Sequence, residues 1–377
     1  MPLLPARAAL AAARSRAAPE AIRLTLRPVA RWAAAAVVVA AVAGCSELSY
    51  YGQAAAGHAD LLARARPVSA WLADPDTSAA LKQQLQAAQQ LREFSVHELG
   101  LPDNSSYRRY ADLKRPAAVW NVVAAPELSL VLKTWCFPVL GCISYRGYFD
   151  RAAADALAAQ LRAEGWEAGV YPVPAYSTLG FSNWLGGDPL LNTFVGGSEA
   201  ELARLMFHEL AHQQLYVADD TLFNESFATA VERIGTERWL AEHGSPAARD
   251  AYRAAQQRRQ DFRELTLRTR AALDAVYRSG ADDQAKRAAK AALMAQMRAE
   301  YRQMRDGRWG GWAGLDAWFA AADNATLGVL GTYLELAGGF ERLYRQQGGD
   351  FGRFYAEAAR IGELPKAQRH ATLRAVE

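Results

Sequence analysis

Cysteine, histidine, one-sided charge and long apolar runs are all scarce in this 377-residue chain. Of three cysteines, Cys136 and Cys142 stand close together in CFPVLGC, around Pro138 and Gly141. A zinc knuckle would need two further ligands nearby, and none is there; in an exported protein such a pair reads as a disulfide clamping a turn. The formal charge is +3, but residues 1–44 hold six arginines (Arg7, Arg14, Arg16, Arg23, Arg27, Arg31) against one acid, Glu20. The remaining body is therefore slightly acidic, at −2, and offers no electrostatic footprint for nucleic acid, so no such partner is expected. The one glycine-rich stretch, GRWGGWAG (307–314), lacks the spacing and strand–helix setting of a phosphate-cradling loop. No internal repeat or long linker is visible. A hydrophobic content of 51% with 10% aromatics argues against disorder.

The longest apolar run, WAAAAVVVAAVAGC, is too short to span a bilayer, which needs roughly 20 residues. Arg23, Arg27 and Arg31 precede it and small residues end it, the pattern of a secretory signal. VAGC resembles a bacterial lipobox, in which Cys45 is lipidated and becomes the mature N-terminus. Residues 1–44 are thus expected to be a lipoprotein-type signal peptide, with 45–377 a single domain held at the cell envelope by lipid on Cys45. Ser46 after the cysteine, by resemblance to lipoprotein sorting, favours the outer membrane, facing the periplasm.

Residues 46–94 suggest two helices broken near Pro75, with Thr77 or Ser78 capping the second. Residues 107–198 mix strands and helix. AAVWNVVAAPELSLVLKTW alternates and is β-rich, and ISYRGYF follows the cysteine turn. Asp150 caps a helix ending at Gly165, and WEAGVYPVPAYSTLGF returns to extended structure. From Glu199 to residue 377 the chain reads as helical, with a hairpin from Asp250 to Arg305 turning at Ser279–Asp283 and a further helical segment ending near Phe354. The fold class expected is α+β, α-dominated, with a small β-sheet on the N-terminal side of the helical part.

Chemistry concentrates in FHELAHQQLYVADDTLFNESFA (207–228). His208 and His212, four apart, stack on one face of a helix for which Ser198 and Glu201 form a capping box. Leu202, Leu205, Met206, Leu210 and Leu215 supply the apolar stripe. Two imidazoles give half a tetrahedral zinc site, and Glu209 stands where a carboxylate can act as general base. A histidine pair on an apolar helix can also be two satisfied core imidazoles, and HELG at His97 repeats the opening with Leu101 in place of the second histidine. The third ligand decides between these readings. VADDT is a turn, Asp219 or Asp220 caps the next helix, and Glu225 one turn later can reach the same metal. Glu232 lies two turns further on, too far to be a ligand.

HExxH followed by NESFA (224–228) resembles gluzincin-type zinc peptidases. With SYRRYADLKRPAAVWNVVAAPELSL, TWCFPVLGCISYRGYFD, YSTLGF, DPLLNTF and NATLGVLGTY, the chain is similar to the bacterial predicted-aminopeptidase family of exported zinc-peptidase-like proteins, over about residues 46–365. The resemblance implies a zincin-like helical core and one Zn2+ per chain on His208, His212 and Glu225. It further implies peptide hydrolysis by zinc-activated water, with Glu209 as general base. One departure stands out: many gluzincins place an aspartate four residues past the third ligand to orient a histidine, and here that position is Thr229. Asn224, Thr229 or Glu232 must then supply that support. Tyr176, Tyr145 and Tyr333 are candidate donors to a developing oxyanion; Tyr216 is turned elsewhere. The YSTLGF strand is where such peptidases pair a substrate backbone. An aminopeptidase, an endopeptidase and a catalytically weak metal-containing lipoprotein that binds a partner all remain open.

Overall fold

The computed structural model describes residues 50–137, 141–175, 186–330 and 336–376. The expected signal peptide, Cys45, Tyr176 and Tyr333 lie outside them. The chain divides into two compact units. In the first, residues 1–56, the described residues 50–56 are helical. Everything below concerns the second, residues 57–377. Among the described residues no helix is long and apolar enough to cross a membrane.

After helical residues up to 64 come β1 (Arg66–Pro67), α1 (Val68–Ala73), α2 (Ala79–His97), β2 (Arg109–Ala111) and β3 (Val119–Pro126). The hairpin β4 (Trp135–Phe137) and β5 (Gly141–Ile143) leads to β6 (Arg146–Tyr148), α3 (Arg151–Ala163), β7 (Trp166–Val173) and β8 (Leu190–Leu191). The rest is helical: α4 (Glu199–Gln214), α5 (Thr221–Glu242), α6 (Pro246–Arg278), α7 (Asp283–Asp306) and α8 (Asp316–Ala321). Last come α9 (Asn324–Leu330), α10 (Ala337–Gln346), α11 (Phe351–Gly362) and α12 (Lys366–Ala375). This is an α-dominated α+β fold with small sheets.

Short polar side chains start the helices as expected. Ser78 rather than Thr77 caps α2, accepting from Leu81 N at 3.2 Å, and Asp150 caps α3. Gly165, at φ 88°, follows the end of α3. Helical structure runs on to Ala375, as the helical reading of 199–377 expects, but the segment placed near Phe354 continues to Gly362. The reason is that Phe351, Phe354, Tyr355, Ala358 and Ile361 form a buried stripe along α11.

β3 departs from simple alternation. It is the central strand of the antiparallel order β6–β3–β7, and Trp120 through Ala125 are all buried. One face packs Trp120, Val122 and Ala124 on Ala154, Ala158 and Leu161 of α3; the other packs Val123 and Ala125 on Ala325 of α9. A strand covered on both faces has no polar side to show. Cys136 and Cys142 face each other across the β4–β5 hairpin and form the expected disulfide.

A second small sheet runs β1–β2–β8, with β2 and β8 parallel. It sets SYRRYADL beside DPLLNTF, and Asn192 locks the pairing by accepting from Leu113 N at 2.8 Å and donating to Arg115 O at 3.1 Å. β8 then delivers the chain to Ser198 and α4. The main core surrounds α4 and α5, where Phe207, Phe223, Phe227, Phe340 and Phe354 are fully buried. A separate core lies where the α6–α7 hairpin packs on the residues that follow it, around Tyr301, Trp309 and Phe319.

Candidate metal centre

Helix α4 begins at Ser198, whose Oγ accepts from Glu201 N at 3.3 Å. The Glu201 carboxylate binds Arg204 at 3.2 Å and Arg259 at 2.9 Å, so the Ser198 half of the expected capping box forms and the Glu201 half is given over to these ion pairs. The helix ends at Gln214 as Leu215 turns extended. In the turn Asp219 takes a left-handed φ of 60°, and Asp220, not Asp219, caps α5 by accepting from Phe223 N at 3.2 Å. Asn224 clasps the turn from the other side, accepting from Val217 N and donating to Val217 O, both at 2.8 Å. The α4–α5 packing is close: a Cβ at Gly235 would meet Leu99 at 2.6 Å and Phe207 at 2.9 Å.

This framework brings three side chains to one point. His208 Nε2 lies 3.3 Å from Glu225 Oε2, and His212 Nε2 lies 3.7 Å from Glu225 Oε1. The imidazoles meet edge to face, 4.9 Å between centroids. One ligand atom from each residue falls within 4.8 Å of the other two, the one such cluster among the described residues. Donors around a tetrahedral zinc with bonds of about 2.0–2.1 Å stand about 3.3–3.4 Å apart. The histidine–carboxylate spacings of 3.3 and 3.7 Å lie near that value, and one donor from each residue falls within 4.8 Å of the others.

The partner that orients His208 is Glu232. Its Oε2 lies 2.9 Å from His208 Nδ1, and its other oxygen accepts from Arg204. Neither Asn224 nor Thr229 takes that place: Asn224 is occupied by the turn, and Thr229 is a buried residue of α5. With Nδ1 donating to the Glu232 carboxylate, the ring is fixed with Nε2 toward Glu225, the nitrogen that would face a metal once its proton is lost. His212 Nδ1 is buried with no partner among the described residues.

Two carboxylates set the electrostatics here. Burial lowers the affinity of His208 for its proton, but Glu225 and Glu232 outweigh burial and push its pKa up to about 10. Burial, with the charge of His208, pulls His212 down to about 4, so it stays neutral, as a ligand must. Burial also opposes charge on Glu225 and Glu232. His208, helped by Arg204 at Glu232, nonetheless holds both carboxyls below their usual range.

Glu209 follows His208 on α4 and is half-buried. Tyr107, which sequence reasoning overlooked, stands near it. Burial, then the charges of Glu209 and Asp188, push its phenol far up, so it stays protonated. Tyr107 is buried with φ 64°, a strained backbone for an aromatic residue. Arg92 secures its loop: fully buried, it donates to the carbonyls of Ser106 (3.0 Å), Pro102 (2.8 Å) and Asn104 (3.1 Å). Asn104 in turn donates to Gln213 of α4 at 2.7 Å. Tyr145 is exposed just before β6, and Tyr216 is exposed just past α4.

Residues 49–373 match a family model described as "Putative aminopeptidase". The chain belongs to that family. Searches of curated proteins and of solved structures returned no match. Family membership and the convergent His208, His212 and Glu225 arise from separate observations, one of the whole sequence and one of local geometry.

Proposed function

We propose that this member of the aminopeptidase family is a zinc-dependent peptidase, acting on peptides with a free N-terminus. The observation that carries the reading is the convergence of His208 Nε2 and His212 Nε2 on the Glu225 carboxylate, beside Glu209. Three protein donors leave a tetrahedral ion one open position, the arrangement of catalytic rather than structural zinc. Bound there, zinc would polarise the scissile carbonyl and acidify water. Glu209 takes the water's proton on its carboxylate and hands it to the leaving amine. Glu232 holds His208 in one tautomer, and Asn224 and Asp220 hold the turn that aims Glu225.

The reading extends to location on sequence grounds: export through the arginine-flanked apolar run, and a lipid anchor on Cys45 at the outer membrane. The two tests are metal content and peptide cleavage. Purified protein should carry about one zinc per chain, lost in Glu225→Ala. Glu209→Gln should keep the zinc and lose turnover. Peptides with a free N-terminus should be cleaved and blocked ones spared. Equal cleavage of both would point to an endopeptidase, and no cleavage of either to a partner-binding role.

A further inference from the structure

The glycine-rich stretch 307–314, which plays no part in the metal centre, helps wall a cavity of about 640 Å³. The other walls are the first turn of α4 and the first half of α6. Its volume falls within the range of about 300–1,000 Å³ usual for small-molecule sites. None of its lining residues is His208, Glu209, His212 or Glu225.

The walls are built. Gly310 and Gly311, at φ 61° and 82°, turn the chain so that Trp312 reaches the cavity. A Cβ at Gly314 would meet the Trp312 ring at 2.2 Å, so that glycine lets the indole lie flat on the backbone. Arg258 lies over the same ring, its guanidinium carbon 4.6 Å from the centroid. Ala251 and Ala255 of α6, with Phe262 and Leu315, make the remaining surface apolar.

The lining holds two carboxylates and two guanidiniums, and the Glu199 carboxylate keeps its charge because its partner is a neutral indole. Glu199 accepts from Trp239 Nε1 at 2.6 Å, and Glu201 is shared by Arg204 and Arg259. Arg258 has no carboxylate partner among the described residues. Arg259 donates to Glu201 and Gln256, but its Nη2 is buried with no partner among them. Unpaired among the described residues, the Arg258 guanidinium beside an apolar wall suits a carboxylate with an apolar body.

We propose that this cavity binds a small carboxylate carrying an apolar body, its acid group on Arg258 and its body against Trp312 and Phe262. Binding does not depend on peptide hydrolysis. The test is calorimetric titration of the full chain with 4-phenylbutyrate and with its neutral isostere, 4-phenylbutanamide. The acid should bind with a dissociation constant of about 1 mM or tighter, and the amide about tenfold more weakly. Arg258→Gln should reduce the acid to the level of the amide while leaving the amide unchanged. Ala255→Phe, which fills the cavity, should weaken both. No binding of the acid, equal binding of acid and amide, or unchanged acid affinity in Arg258→Gln would each overturn the proposal. Should Ala255→Phe fail to fold, the Arg258 comparison still decides.

Discussion

Glutamine at position 232 would test whether the orientation of His208 matters to the metal. The native carboxylate serves two donors, His208 Nδ1 at 2.9 Å and the Arg204 guanidinium. An amide has one acceptor oxygen for both and turns an NH2 toward whichever it abandons. Arg204 retains Glu201 at 3.2 Å, so the main loss falls on the imidazole. Loss of such a partner weakens metal binding by roughly 10–100-fold, equal to about 1.4–2.8 kcal/mol. The assay is zinc competition against a fluorescent chelator at fixed pH, run beside thermal melts of the metal-free protein. Glu232→Gln should raise the zinc dissociation constant by that factor, well beyond any change in the metal-free melt. Unchanged zinc affinity in a folded variant would refute the claim that Glu232 tunes the centre through His208.

Asp220→Asn probes the clamp behind Glu225, the candidate third ligand. The buried Asp220 caps α5 and pairs with Arg369 at 3.0 Å and His370 at 2.8 Å on α12. The variant should lose about 2–3 kcal/mol in chemical denaturation at neutral pH. Burial raises the Asp220 carboxyl, but His370 and the cap amide outweigh it and leave its pKa lowered. Its contribution is therefore present above about pH 4 and fades as the pH falls through the lowered folded value, so the gap between wild type and variant should close in acid. A gap that does not change with pH would contradict this. Arg92→Met should cost at least about 3 kcal/mol, since three carbonyls around residues 102–106 lose their buried donor. A melt within a degree or two of wild type would show the loop to be held by something else.

Much of the centre is a local property of the chain and could be read as such. Histidines four apart on a helix share a face whatever surrounds them, and a short turn after His212 has few ways to go except back. The caps at Ser78, Asp150 and Ser198 follow from the same local reasoning, because a short side chain reaches only the next few amides. The resemblance to the aminopeptidase family likewise needed only the linear motifs.

What spacing could not resolve was which of several residues on α5 meets which atom. Glu232 sits seven residues past Glu225, two turns along one face, and stood with Asn224 and Thr229 among the residues that could support a ligand histidine. Its bond to His208 Nδ1 depends on how far α5 slides along α4, and the close approach of Phe207 and Leu99 to Gly235 belongs to that packing. Asn224 looked equally placed to support a ligand, yet the backbone of Val217 claims it. The burial of β3 on both faces, the Asp220–His370 pair and the cavity beside Trp312 all join segments distant in sequence. Sequence by itself determined the helices, the caps and the histidine pair of the candidate centre, because those interactions span a turn or less. Only the tertiary structure decided the partners of those histidines, because packing between elements selects among side chains that local geometry leaves equivalent.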